Sequence, residues 1–325
     1  MLYVFCRYNL RVQYNMKETS FANRGHIFGP VPSRRLGRSL GIDLVPPKTC
    51  TYDCLYCQVG LTTEKTTQRK CWIPVEKIID ELKEKLSTKP DCITLSGAGE
   101  PTLYSECGRL IDEIKKITSI PVAVITNGSL LFMPEIRQEL HNADMVLPSL
   151  CAGDEQIFQK IHRHATDIKF SKMLQGLIDF RKEYKGKYWL EVFLIAGLND
   201  SDEQIEKIAQ CIKKINPDKV QLNTVSRPPV EKVAALSQQR LEQIAKMIGE
   251  NAEVIADFKT SAADGSTAKA EDVLEMLKRH PCSADEIAGG MKISKLEILK
   301  LIDELIKSAK IEPVEQNNKT CYRVK

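Results

Sequence analysis

Three cysteines, Cys50, Cys54 and Cys57, fall at a C-x-x-x-C-x-x-C spacing, so one loop can point three sulfurs at a single inorganic centre. Structural zinc sites want a fourth ligand close by and usually draw their thiols from paired units. Iron–sulfur clusters are usually held by four thiolates. This loop stops at three. A cubane bound through only three of its irons keeps one iron free for an external ligand, unlike an electron-transfer ferredoxin site. Two other readings stand beside that one: a zinc loop completed by Cys71 or a distant histidine, and inert core thiols. Against the second, the cysteines sit in a polar stretch with Thr51 and Asp53, which does not look like core packing.

Elements of two kinds must carry that loop. Val75, Ile78, Ile79, Leu82 and Leu86 recur at helical spacing behind Pro74, whose missing N–H costs nothing at a helix start, and this predicts a helix over 74–86. Further helices are expected over 105–117, 134–141, 170–184, 203–215 and 238–248. Strands are expected over 39–44, 92–95, 122–126, 145–150, 189–195, 219–223 and 254–258. The segment 28–37 is punctuated by Gly and Pro and cannot be regular helix. Strands alternating with helices in this way argue for a parallel sheet with right-handed crossovers, short of a closed eight-fold barrel. In parallel barrels the chemistry sits at the C-terminal ends of the strands, and the cysteine loop follows the first strand.

The other strand ends carry polar groups of their own. The second runs into Ser96-Gly-Ala-Gly-Glu-Pro-Thr102, where Gly97 and Gly99 let backbone approach a ligand and Glu100 follows. The third ends at Asn127-Gly128, which is equally an ordinary turn. The fourth offers Ser149 and Cys151. In the fifth, Glu191 lies in an apolar run and needs a partner, either a ligand or an internal Arg or Lys. The sixth supplies Gln221, Asn223 and Arg227, expected to face a substrate. Arg34, Arg35 and Arg38 are either solvated charge or a means of capturing an anionic substrate or a cofactor carboxylate.

At Cys50, Cys54 and Cys57, with aromatic Tyr56 just before the last thiol, the sequence resembles the radical S-adenosylmethionine (radical SAM) superfamily. Gly97-Ala98-Gly99-Glu100 is similar to that family's GGE-type motif, as a G-A-G-E variant. The resemblance implies a [4Fe–4S] cluster ligated by the three cysteines, with S-adenosylmethionine (SAM) chelated on the open iron. An electron from a donor such as ferredoxin or flavodoxin would then cleave SAM to methionine and a 5'-deoxyadenosyl radical. It further implies Tyr56 near the adenine, Gly97, Gly99 and Glu100 at the methionine end, and Asn127, Ser149 and Glu191 as further cofactor contacts. Related sequences often carry Asp where this chain has Cys151. The fold implied is α/β, a partial (β/α)6 TIM-like barrel, here over 28–259. From Gly29 to the Arg227-Pro-Pro turn the sequence looks most like a group related to the tRNA wyosine-synthesis enzymes, so the expected substrate is a tRNA base or a protein residue.

Bulk properties agree with a barrel and one small domain. The chain has 325 residues, 42% of them hydrophobic, and a net charge of +4, too balanced to announce a polyanion partner. Eleven cysteines, clustered once and otherwise scattered, read as a reduced cytoplasmic protein with a metal site, and the scattered ones form no second close pair. No run is apolar enough to cross a bilayer, so no membrane partner is expected. Arg7 and Arg11 interrupt the apolar opening too early for a signal peptide, and Met16 is an alternative start within an N-terminal extension, 1–27.

Residues 260–267 have the composition of a linker. Beyond it, 268–325 reads as a winged helix: three helices, two opened by the capping boxes Ser283/Glu286 and Ser294/Glu297, then a hairpin around Asn317-Asn318. Its third helix mixes Lys295, Lys300 and Lys307 with Glu297, Asp303 and Glu304, which favours contact with protein or positioning of RNA over DNA readout. A different class of function is a regulator that senses Fe–S state or SAM and binds nucleic acid through this module.

Overall fold

The computed structural model describes residues 21–23, 25–255, 269–278, 281–291, 293–316 and 319–325. The expected linker, the Asn317-Asn318 turn and Met16 lie outside them. The barrel region begins with a hairpin, β1 (Ile27–Ser33) and β2 (Gly37–Asp43), paired antiparallel with an irregularity between Phe28 and Val31. A short parallel pair, β3 (Thr49–Cys50) and β4 (Glu64–Lys65), brackets the cysteine loop. Then follow α1 (Val75–Lys85), β5 (Cys92–Ser96), α2 (Cys107–Ile117), β6 (Val122–Thr126), α3 (Pro134–Glu139) and β7 (Met145–Pro148). Next come α4 (Glu155–His162), α5 (Phe170–Glu183), β8 (Lys187–Leu194), α6 (Asp202–Ile215), β9 (Lys219–Thr224), α7 (Gln238–Ile248) and β10 (Ala252–Val254). The sheet order is β1-β2-β5-β6-β7-β8-β9-β10, parallel from β2 onward.

Residues 27–33, expected only not to be regular helix, are a strand that includes Gly29 and Pro30; as the sheet's edge, β1 tolerates a missing N–H. Residues 155–162 form an unexpected helix, with the Asp154 side chain accepting from Ile157 N at its start. The last strand of this sheet among the described residues is Ala252–Val254, which meets the expected 254–258 at Val254; residues 256–258 lie outside the described residues.

Helices cover the outer face of the sheet with narrow apolar stripes. In α2 the buried residues are Cys107, Leu110, Ile111 and Ile114, one face of a 3.6-residue period. Along β8 burial alternates: Tyr188, Leu190, Val192 and Leu194 enter the core beneath the helices, and Glu191 and Phe193 turn to the inner face. At the N-terminal ends of the strands that inner face is filled by Leu36, Cys92, Ala123, Met145 and Leu147. Toward the C-terminal ends it opens into a cavity of about 370 Å³.

The C-terminal residues form α8 (Ala270–Leu277), β11 (Cys282–Ser283), α9 (Ala284–Met291), α10 (Lys295–Lys307), β12 (Ile311–Gln316) and β13 (Lys319–Val324), with an antiparallel sheet in the order β11-β13-β12. Their separate apolar core rests on Val31 of β1. Glu286 joins the two regions. One carboxylate oxygen accepts from Ser283 N at 2.8 Å in the expected capping box, and the other accepts from Arg227 Nη2 at 3.1 Å. Glu286→Ala removes the cap and leaves the mostly buried Arg227 guanidinium without its carboxylate, a loss of about 2 kcal/mol. Hydrogen exchange of the α9 amides is expected to accelerate accordingly, and less in Glu286→Gln, which keeps an acceptor.

Candidate functional site

The cysteine loop follows β2 and is held by backbone on two sides. Asp53 N and Leu55 N donate to the carbonyls of His162 and Ile161 at the end of α4, at 2.8 and 3.0 Å, and Val230 N donates to Cys57 O at 3.0 Å. The glycine loop after β5 braces the third side. Lys48 N donates to Ala98 O at 2.6 Å and Glu100 N to Thr49 O at 3.1 Å. Both glycines are required by this approach. Gly97 has φ +116° and a Cβ there would collide with Asp43, while a Cβ on Gly99 would collide with the Thr49 carbonyl.

Burial pushes the Cys50 thiol up to about 12, helped by the nearby charge of Glu100, and raises Cys54 and Cys57 as well. Three adjacent thiolates are tolerable in this environment only when a cationic centre compensates them. Two side chains are already turned to the sulfurs: Asn127 Nδ2 lies 3.6 Å from Cys50 Sγ and His162 Nδ1 lies 3.1 Å from Cys54 Sγ. Hydrogen bonds of this kind to thiolate sulfur tune iron–sulfur clusters. Among the described residues no three His, Cys, Asp or Glu side chains are gathered so as to hold one metal ion. Cys71, the proposed fourth zinc ligand, turns instead to Ile73 O at 3.3 Å. A cubane takes each thiolate on a different iron, and the three residues fit it.

Of the expected site residues, Tyr56, Cys57, Gly97, Ser149 and Glu191 line this cavity at the strand ends. The Tyr56 ring stacks on Phe193 at 4.0 Å between centroids, and its hydroxyl meets the buried Cys151 Sγ at 3.4 Å. Cys151 therefore buttresses Tyr56. Glu191 is paired internally, with Arg35 Nη1 at 3.2 Å and with Asn223 Nδ2 at 2.8 Å, and Arg35 foremost, against burial, holds its carboxyl below the usual glutamate range. Asn127 and Glu100 stand behind the lining. Asn127 Nδ2 donates to Thr51 Oγ1 at 2.8 Å, and the Glu100 carboxylate is buried against Thr102, Thr126 and the Asn127 backbone. Arg34 and Arg35 reach the cavity; Arg38 turns away to Lys89 O.

Sequence reasoning missed His162. It is buried at the end of an unexpected helix, stacked on Tyr52 at 4.6 Å, and its neutral state follows from burial, which lowers its pKa to about 3. The Asp154 cap followed by apolar Ile157, Phe158 and Ile161 is the signal that could have found the helix. With a thiolate opposite, Nδ1 carries the proton. His162→Leu is expected to leave the cluster in place but shift its midpoint potential negative by tens of millivolts, because an N–H···S bond favours the reduced, more negative cluster. An EPR-monitored redox titration reads that shift directly.

The model of the Radical SAM superfamily matches residues 44–212, from the end of β2 into α6. The chain belongs to the radical SAM superfamily. Its cofactors are accordingly a [4Fe–4S] cluster and SAM. A UPF0026 protein of Methanocaldococcus jannaschii is 34% identical over 91% of this chain and 94% of its own length, so this is a radical SAM protein of the UPF0026 family. A protein of Brachyspira hyodysenteriae named GTPase Obg is 43% identical over 92% of this chain, which spans only 45% of that relative's length. A radical SAM methyltransferase from Sphaerobacter thermophilus superposes with a TM-score of 0.53 at 18% identity, over 66% of this chain and 65% of its own. That likeness is one of fold. Among the described residues no helix is long and apolar enough to cross a membrane.

Proposed function

We propose that this radical SAM protein is an enzyme that cleaves SAM reductively and begins radical chemistry on a substrate held in the same cavity. The observation that carries the reading is the placement of Cys57, Tyr56, Gly97, Ser149 and Glu191 around one cavity at the C-terminal ends of parallel strands. When bound, the cluster and SAM supply a 5'-deoxyadenosyl radical able to abstract hydrogen. The chain's own residues orient and shield. Cys50, Cys54 and Cys57 ligate the cluster, and the loop at Gly97 and Ala98 offers close backbone to the methionine end. The stacked pair Tyr56 and Phe193 forms an apolar wall that suits an adenine ring. Ser149 offers a hydroxyl from the next strand end.

The finer reading follows the sequence resemblance: a group related to the tRNA wyosine-synthesis enzymes, acting on an RNA base or a protein residue in the cytoplasm, with a ferredoxin- or flavodoxin-type electron donor. We read 28–259 as the catalytic domain and 268–325 as a winged helix, supported by the order helix, strand, helix, helix, strand, strand. The regulator reading is not favoured. Lys295 and Lys307 of α10, which nucleic-acid binding would recruit, are ion-paired with Asp285 and Asp303. The test is anaerobic reconstitution followed by a strong reductant and SAM. Reductant-dependent 5'-deoxyadenosine is expected. An intact cluster that binds SAM and releases none would reject the enzyme.

A further inference from the structure

Three guanidinium groups, from Arg34, Arg35 and Arg227, line the same cavity as Cys57 and Gly97. Among the described residues two carboxylates meet them. Glu191 takes Arg35 and Glu286 takes Arg227, each pair largely shielded from solvent. Arg34 is left with a neutral partner: its Nη2 donates to Asn223 Oδ1 at 3.1 Å, and the Asn223 amide is itself turned to Glu191. Burial, and then the like charge of Arg227, holds the Arg34 guanidinium below the ordinary arginine range. Among the described residues one further buried N–H group of the three, Nε of Arg227, makes no hydrogen bond, while Nη1 of Arg35 is spent on the Glu191 carboxylate. A buried donor without an acceptor is costly, and a buried charge without a counterion more so. Such groups in a native fold ask for a missing partner. The guanidinium fork matches the oxygens of phosphate and carboxylate, and one oxyanion would answer all three residues.

We propose that Arg34, Arg35 and Arg227 form a subsite for an oxyanion of the substrate, a phosphate or carboxylate group, separate from the carboxylate of SAM. The assignment rests on the reading above, in which SAM lies against Tyr56, Gly97 and Ser149. The surplus of one positive charge suits a small anionic group. The cavity of about 370 Å³ has SAM to hold as well, and about 300 Å³ is already the low end for one small molecule, so the anion enters on a small molecule or a single projecting group and not on a folded surface. Because Arg227 is shared with Glu286, the anion also competes with the tether to the C-terminal module.

Calorimetric titration of inorganic phosphate and, separately, of malonate into reconstituted protein holding SAM without reductant tests the subsite. Wild-type protein is expected to bind at least one of them, and the tighter probe names the source. Arg34→Gln and Arg227→Gln are each expected to weaken binding by about ten-fold or more, roughly 1.4 kcal/mol, while Arg34→Lys, which keeps the charge but loses the fork, recovers part of it. Circular dichroism confirms folding, and should Arg34→Gln fail to fold, Arg227→Gln and Arg34→Lys carry the test. In cluster-free protein the probe is still expected to bind, which separates this proposal from the radical reading. No binding by wild type, equal binding by the variants, or displacement of the probe by SAM overturns it.

Discussion

Cys54→Ala is expected to abolish cluster assembly and with it all SAM cleavage. Wild-type protein reconstituted without oxygen should hold about four irons per chain, as one cubane requires, and the variant should fall to background. The prediction is sharp because Cys54 sits between its two partner thiols, in contact with His162, in an environment that penalises charge without iron. Alanine leaves two thiolates, and the loop's own carboxylate, Asp53, is already engaged by Arg163 and Thr62 N. Cys71→Ala is the control: Cys71 is exposed and bonded to Ile73 O two residues along the chain, so iron content should not change. Retained zinc in wild-type protein would return the triplet to the zinc reading, and loss of iron in the Cys71 variant would make Cys71 a fourth cluster ligand and close the open iron.

The sequence exposed most readily what is local. Thiol spacing lies within one loop, and the alternation of strand and helix depends on short-range periodicity; both carried over, as did the barrel-like parallel sheet. What was hidden depends on contacts between distant segments. The hairpin strand Ile27–Ser33 is masked by Gly29 and Pro30, and its turn is what carries Arg34 and Arg35 into the cavity. Glu191 was legible as a carboxylate in need of a partner, yet the partner, Arg35, lies more than a hundred residues upstream. His162 carries no motif at all, because its role comes from where α4 ends against the cysteine loop.

Glu100 shows how a motif residue can be legible while its work is not. The resemblance assigns it to the methionine end of SAM, whereas its carboxylate is 2% exposed and accepts four hydrogen bonds. Oε1 takes Thr102 N at 3.1 Å, Thr102 Oγ1 at 2.7 Å and Thr126 Oγ1 at 2.6 Å; Oε2 takes Asn127 N at 2.8 Å. Burial pushes its carboxyl up while these donors pull it down. The side chain thereby ties the ends of β5 and β6 together and sets Asn127 against Thr51 and Cys50 of the cluster loop. Glu100→Gln is nearly isosteric but places an NH₂ group against either Thr102 N–H or Asn127 N–H, whichever way the amide is turned. We expect it to cost about 2–4 kcal/mol in urea unfolding, and Glu100→Ala, which strands every donor, to cost more. Loosening of Asn127 should also slow cluster uptake, seen as a lower iron content at fixed reconstitution time. If Glu100 instead serves SAM directly, Glu100→Gln will unfold like wild type and lose only SAM affinity, so stability and SAM binding measured on the same variant decide between the two roles.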